Sequence, residues 1–283
     1  TRLTGVFGYP VRHSLSPIFQ NAAFQYLGLD MVYVALEVKP EDLEVAVKAL
    51  KVFDFVGVNV TIPHKKAVVS LVDELDGEAQ ESGVVNTICC RGGRLKGYST
   101  DGQGFIRSLK EEGRFSPENK SALVLGAGGS AHAVCGALVR SGIGHLFLCN
   151  RTREKAVALA DHLKKNLSFT STEVIEFSQR HRKAVWKDVD LLVNTTSVGM
   201  KENDPLLVRE ENLHPGLFVY DLIYNRLTEL LRNARKLKLP HLNGLAMLVY
   251  QGGISFELWT GRKAPLAIMK KALAKYRGGL GKA

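Results

Sequence analysis

Polar groups able to bind a small molecule and move a proton gather where strands end. In Asn59-Val60-Thr61-Ile62-Pro63-His64-Lys65-Lys66, Val60 and Ile62 alternate with Asn59 and Thr61. That alternation predicts the end of a half-buried strand. Pro63 stops the strand and starts a helix whose first turn carries His64 and Lys65. A lysine there opposes the helix dipole, so stability alone does not select it. Of the two lysines, Lys65 is the candidate for chemistry and Lys66 is left to solvent. His13-Ser14-Leu15-Ser16-Pro17 offers two hydroxyls at another helix start. Ser16 reads as an N-cap and Pro17 as the first helical residue, and the same hydroxyls beside a helix N-terminus also suit a carboxylate. Asn86, Thr87, Thr100 and Asp101 fall at comparable strand ends. Singly, each reads as a structural polar group. Together they describe a pocket with one base, one acid and several neutral hydrogen-bonders, an inventory suited to a small polyhydroxylated acid.

A second constellation binds rather than reacts. Gly126-Ala127-Gly128-Gly129-Ser130-Ala131 follows an apolar strand and opens a helix, giving G-x-G-x-x-A, a form of the dinucleotide fingerprint. Gly126 permits the tight turn, Gly128 lets backbone approach a pyrophosphate, and Ala131 lets helix and strand pack closely. The helix N-terminus offers free N–H groups to phosphate. The next strand ends in Asn150-Arg151-Thr152-Arg153, with Lys155 beyond. An NAD site prefers an acidic residue there, whereas a 2′-phosphate suits cations, so the pattern predicts NADP. Asn194-Thr195-Thr196-Ser197-Val198-Gly199-Met200 follows another strand and falls where such sheets line their ligand crevice.

The elements that must position these groups alternate between strand and helix along the chain. Strands are predicted over 3–7, 31–38, 55–62, 84–90, 94–98, 121–125, 145–149, 190–195 and 217–223. Helices are predicted over 16–27, from Pro40, and over 131–140, 153–165, 245–259 and 265–276. Such repetition argues for mainly parallel sheets covered by helices. The Gly-rich unit starts near 118 and has room for its sheet by about 240. The reading is α/β with two lobes, an N-terminal α/β lobe and a Rossmann-like lobe, a cleft between them, and final helices that return to the first lobe.

Composition narrows the function classes. The chain has 283 residues, 45% hydrophobic and 23% charged, values of a soluble globular protein. No apolar run is long enough to span a bilayer, and the start lacks the charged-then-apolar pattern of a signal peptide. Cys89, Cys90, Cys135 and Cys149 form no C-x-x-C pair, which predicts reduced thiols, a cytoplasmic setting and no metal. The net charge of +10 is spread out, with a mild concentration in Arg232, Arg235, Lys236, Lys238, Lys270, Lys271, Lys275, Arg277 and Lys282. No aromatic platforms interleave these residues, so they read as solvated helix faces and not as a nucleic-acid surface.

Taken in order, these motifs resemble the shikimate dehydrogenase family, which also includes quinate-using enzymes. The likeness runs through Ser14-Leu15-Ser16-Pro17, Asn59 to Lys65, Val85-Asn86-Thr87, Thr100-Asp101-Gly102, the Gly-rich turn, Asn150-Arg151-Thr152, Asn194 to Met200, Asp221 to Tyr224, Asn243-Gly244-Leu245, Gln251-Gly252 and Phe256 to Gly261. It implies reversible NADP-dependent reduction of 3-dehydroshikimate to shikimate, a step towards aromatic amino acids. It implies a substrate lobe over 1–101 completed by 243–283, and an NADP lobe over 102–242. Ser14 and Ser16 would hold the carboxylate with Tyr224. Thr61, Asn86, Asp101 and Gln251 would read ring hydroxyls, and Lys65 with Asp101 would form the acid/base pair. Gly126, Ala127, Gly128, Gly129, Ser130, Asn150, Arg151, Thr152, Arg153, Lys155, Leu222 and Gly244 would line the cofactor. The chain departs from the family at Ser99, at Gly77 and in the shortened Arg226-Leu227-Thr228. Alternatives are a quinate dehydrogenase, NAD use, or a silent NADP-binding sensor, which the presence of Lys65 and Asp101 argues against. The partners implied are small molecules, with the chain a monomer or homodimer.

Overall fold

The computed structural model describes residues 1–280, with side chains as far as Tyr276. The Arg277 side chain, Lys282 and the end of the 243–283 segment lie outside the described residues. The chain divides into two compact units, Thr1–Thr100 with the chain from Leu248 onward, and Asp101–Met247.

The first unit begins with β1 (Arg2–Gly8), α1 (Ser16–Tyr26), β2 (Met31–Glu37), α2 (Leu43–Val52), β3 (Gly57–Val60), β4 (Glu74–Leu75), α3 (Gly77–Ser82), β5 (Thr87–Arg91) and β6 (Arg94–Tyr98). Its six-stranded sheet runs β2-β1-β3-β5-β6-β4. Pairing is parallel from β2 through β1 to β3 and antiparallel from β3 through β5 to β6. β3 is not half-buried as its alternation suggested. It lies between β1 and β5 and is buried along its whole length. Val58 and Val60 pack with Leu43, Val47 and Leu50 of α2, while Asn59 turns to the other face.

The second unit continues with α4 (Asp101–Glu111), β7 (Ser121–Leu125), α5 (Gly129–Arg140), β8 (His145–Cys149), α6 (Arg153–Leu167), β9 (Thr172–Ile175), α7 (Lys183–Trp186), β10 (Leu191–Asn194), β11 (Phe218–Asp221), α8 (Glu229–Lys236) and β12 (His241–Asn243). The sheet order is β12-β11-β10-β7-β8-β9, with parallel pairing throughout. Successive strand residues enter opposite cores, as a period of two requires. Ala122, Val124, Leu191, Val193, Phe218 and Tyr220 join one core, with α4, α5 and α6. Leu123, Leu125, Leu192 and Val219 join the other, with Trp186, Leu230 and Leu231. Strand order reverses between β7 and β10, the switch point at which a Rossmann sheet opens its ligand crevice.

The chain ends with α9 (Gly244–Thr260) and α10 (Leu266–Leu280). In the first unit, α9 supplies Phe256 and Trp259 to the sheet face opposite α2. Phe256 stacks on Phe24 at 5.3 Å between ring centroids, and the Trp259 indole N–H donates to the Ile88 carbonyl at 3.0 Å. Among the described residues no helix is long and apolar enough to cross a membrane. All four cysteines are free and buried, and burial pushes the Cys89 thiol up to about 12 and Cys149 to about 11.

The fold of the first unit depends on α9 filling that face. Phe256 is 0% exposed, so Phe256→Ala should cost about 3–5 kcal/mol in chemical denaturation. A loss under about 1 kcal/mol would show that α9 is dispensable to this core.

Candidate functional site

In the first unit the polar residues meet around the side chain of Asn86, which is 2% exposed. Its Nδ2 donates to Thr100 Oγ1 at 2.9 Å and to Gln251 Oε1 at 3.2 Å. Its Oδ1 accepts from the Thr100 N–H at 2.8 Å. Thr100 Oγ1 donates to the Gln251 carbonyl at 3.2 Å. The ends of β5 and β6 are thereby joined to α9. The Asn86 carbonyl also accepts from the Val60 N–H at 2.8 Å, and the Val85 N–H donates to the Lys65 carbonyl at 2.9 Å. Those bonds set the segment carrying Thr61 and Lys65 beside Asn86. Thr61 and Lys65 are half-buried.

The local structure around Lys65 differs from expectation. Pro63 does not start an α-helix. Residues 62–66 form turns that lead into a short 3-10 segment, Ala67–Leu71. The helix-dipole argument for Lys65 therefore falls away. What fixes the turn is His64, which is 1% exposed and whose Nε2 lies 2.7 Å from the Val38 carbonyl. Ser16 likewise is not an N-cap. It is the first residue of α1; Leu15 holds the cap position, without a side-chain cap bond. The Ser14 hydroxyl instead accepts from the Ser16 N–H at 3.3 Å. Both serine hydroxyls thus lie at the α1 N-terminus, where an anion is favoured.

Asn59 is consumed within the protein. Its Nδ2 donates to the Asn86 carbonyl at 3.1 Å, to Thr87 Oγ1 at 3.0 Å and to Ser255 Oγ at 2.9 Å, while Oδ1 accepts from the Tyr33 hydroxyl at 2.7 Å. Sequence reasoning missed Ser255 and Tyr33. Gln251 and Ser255 are i and i+4 on one face of a mainly apolar helix, and that spacing was a usable signal. Tyr33 on an apolar strand gave none.

In the second unit the Gly-rich turn joins β7 to α5 at the switch point. Gly126 has φ +110°, and a Cβ there would stand 2.4 Å from Thr195 Oγ1. Gly128 is the exposed N-cap of α5, and a Cβ there would meet nothing within 4 Å. Ala127 is buried, and Gly129 and Ser130 open α5. Ala131 is 0% exposed and packs in the core, as its place in the fingerprint demands. Thr195 closes the turn from the far side, its N–H and hydroxyl donating to the Leu125 carbonyl at 2.9 and 2.7 Å. Gly244 opens α9 where a Cβ would fall 1.9 Å from the Leu222 carbonyl oxygen, so no side chain fits beside Leu222.

At the end of β8, the Asn150 amide donates to the Thr152 carbonyl at 2.7 Å. Arg151, Thr152, Arg153 and Lys155 are exposed. Arg153 pairs with Glu176 just beyond β9. Among the described residues Arg151 and Lys155 have no ion-pair partner. Asp221 is buried at the end of β11, accepting from Thr228 Oγ1 at 2.6 Å, Asn194 Nδ2 at 3.0 Å and the Ile223 N–H at 3.1 Å. Burial pushes its carboxyl pKa up, against those hydrogen bonds. The network braces the loops after β10 and β11, which carry Leu222 and Tyr224. Tyr224 is half-buried, and desolvation pushes its hydroxyl pKa up, keeping it a neutral donor. Asp101 is the first residue of α4 and 5% exposed. Among the described residues no three His, Cys, Asp or Glu side chains are placed to hold a metal.

Comparison with known proteins gives a consistent picture. Residues 6–88 match the shikimate dehydrogenase substrate binding domain, 110–198 the shikimate/quinate 5-dehydrogenase model, and 244–274 the shikimate 5′-dehydrogenase C-terminal domain. The shikimate dehydrogenase (NADP(+)) of Methanopyrus kandleri is 44% identical over 280 residues, covering 98% of this chain and 96% of the relative. That of Moorella thermoacetica is 45% identical over 282 residues, covering 98% and 94%. The shikimate 5-dehydrogenase of Thermus thermophilus, solved with NADP(H) and shikimate, superimposes with a TM-score of 0.86 at 34% identity, covering 97% of this chain and 99% of that one. Quinate dehydrogenase of Corynebacterium glutamicum, solved with NAD, gives a TM-score of 0.90 at 29% identity, covering 97% and 99%.

The two glycine environments predict opposite stability effects. Gly128→Ala, with φ −88° and open space around the new methyl, should change unfolding free energy by no more than about 0.5 kcal/mol. Gly244→Ala should cost at least about 2 kcal/mol, because its methyl overlaps backbone that cannot rotate away. Equal losses in thermal or urea unfolding would contradict this reading.

Proposed function

The chain belongs to the shikimate dehydrogenase family, and we propose that it interconverts 3-dehydroshikimate and shikimate with NADP, a step towards aromatic amino acids. The observation that carries the substrate reading is the Asn86 cluster, which aligns neutral donors and acceptors beside the Lys65 segment, while the serines of α1 add hydroxyls at a helix N-terminus. That combination suits a ring bearing hydroxyls and one carboxylate.

We assign the first unit to substrate and the second to cofactor. The second unit fits a dinucleotide. Gly128 leaves open the space a pyrophosphate needs, and the twelve-residue α5 points its first N–H groups there. Arg151 and Lys155, which have no ion-pair partner among the described residues, offer cations to a 2′-phosphate, while Arg153 is shared with Glu176. Bound NADP supplies the hydride chemistry.

The remaining tasks fall to side chains. Ser14 and Ser16, with Tyr224, hold the carboxylate. Thr61, Asn86 and Gln251 orient the ring. Lys65 and Asp101 manage the proton on the reacting oxygen: it leaves when the alcohol is oxidised and returns when the ketone is reduced. Free, buried thiols suit a reducing compartment, and we place the enzyme in the cytoplasm. The likeness to quinate dehydrogenase supports a second reading, in which quinate is also oxidised.

Two substitutions test these assignments. Lys65→Ala should lower kcat by about 10²- to 10⁴-fold and leave the KM for shikimate nearly unchanged; near-normal turnover would remove Lys65 from the proton step. Arg151→Ala should raise the KM for NADP⁺ about tenfold, the value of one charge-assisted contact, with little change for NAD⁺. Parallel changes for both cofactors would remove Arg151 from 2′-phosphate recognition.

A further inference from the structure

Two neighbouring amides on α1 answer to different demands. Asn21 meets a need of the fold. Its Oδ1 accepts from the Tyr33 N–H and its Nδ2 donates to the Tyr33 carbonyl, both at 2.8 Å, so both backbone groups of a buried residue are satisfied. Gln20 meets no such need. Its side chain is 0% exposed, and its Nε2 donates to the Gly252 carbonyl at 2.9 Å. Gly252 lies inside α9, and a carbonyl inside an α-helix already accepts from the N–H four residues on. Among the described residues the Gln20 Oε1 has no hydrogen-bond partner. A buried acceptor without a partner costs stability, and an apolar side chain of the same shape removes that cost. Stability alone therefore does not select glutamine at this position.

What the Gln20 bond does is set one helix against another. Gly252 follows Gln251, whose Oε1 accepts from Asn86 at 3.2 Å and whose carbonyl accepts from Thr100 Oγ1 at 3.2 Å. A Cβ at Gly252 would lie 2.6 Å from Phe19 Cε2 and 3.3 Å from Gln20 Nε2, so α1 and α9 meet here with no room for a side chain. Gln20 stands one helical turn after Ser16, on the buried face of α1 that both share. One turn further on in each helix, Phe24 stacks on Phe256. Apolar contact is non-directional, so that stack allows a slide that a directional hydrogen bond resists. We propose that Gln20 is a positioning residue for the substrate: its bond to the Gly252 carbonyl holds the turn of α1 that carries Ser16 in register with the turn of α9 that carries Gln251. The carboxylate-holding serines and the hydroxyl-reading amides then keep one separation, and the substrate ring is held in one pose. The proposal rests on the substrate assignment above. A misplacement of about 1 Å can cost on the order of 10²-fold in rate, so a fraction of that shift is enough to matter.

Gln20→Met keeps the length of the side chain and removes both polar atoms. Its Tm should lie within about 3 °C of the unaltered chain's, or above it. With shikimate and NADP⁺, kcat/KM for shikimate should nevertheless fall about tenfold, with the KM for NADP⁺ unchanged. In a Gln251→Ala background the same substitution should cause little further loss, because Gln20 acts through the turn that carries Gln251 and coupled residues do not act additively. A group that only supports the fold gives the reverse pattern, a lower Tm with full activity per folded molecule. A Tm below that range, or a Gln20→Met chain that does not fold, would overturn the proposal by showing that stability requires the amide. An unchanged kcat/KM, or a loss that multiplies independently of Gln251, would do so too. A wild-type chain inactive on shikimate would instead sink the substrate assignment, and the proposal with it.

Discussion

The side-chain amide of Asn86 is the constraint on which the first unit's polar architecture depends. A buried amide left unpaired costs about 1–3 kcal/mol for each lost partner. Here the bonds that satisfy it bring Thr100 and Gln251 to the same point. Thr100 ends the segment after β6, and Gln251 lies on α9, 165 residues from Asn86 in sequence. Satisfying one amide therefore ties α9 to the ends of β5 and β6 and gathers polar side chains at one place. The neighbouring Asn59 hub extends the same logic to Tyr33, Thr87 and Ser255. Networks of this kind rigidify when complete and are costly when partial, which is why polar groups meant for a ligand can be held still inside an apolar core.

The second unit solves a different problem. Its central strands are buried on both faces, so alternate residues feed two cores. That leaves the strand ends as the place for polar function. At the switch point β7 and β10 pair side by side while their connections run to opposite edges of the sheet, and the turn after β7 must be tight because Thr195 fills the space against Gly126. The two glycines differ in kind: Gly128 stands in open space, while Gly244 is set backbone against backbone with Leu222.

Much of this was legible in the sequence because it rests on short-range pattern. The strand over 145–149 is β8 to the residue, and the Gly-rich turn follows β7 and opens α5. The failures have physical causes. β3 looked half-buried because Asn59 and Thr61 are polar, but Asn59 is polar and buried, satisfied by partners distant in the chain. The helix expected after Pro63 is a set of turns, fixed by a contact from His64 to Val38 that no local signal announces. Arg153 sat in a convincing basic trio, yet Glu176, beyond a strand absent from the sequence reading, pairs with it. Tyr33 illustrates the general limit: a residue whose importance lies in what it joins leaves no mark on its own neighbourhood.

The central claim is that this chain oxidises shikimate with NADP⁺. Its most direct test is a comparison of initial rates for the purified chain with shikimate and with quinate, each with NADP⁺ and with NAD⁺. The account predicts that shikimate with NADP⁺ has the highest kcat/KM of the four. A chain that prefers quinate, that uses NAD⁺ at least as well, or that reduces neither cofactor would contradict it.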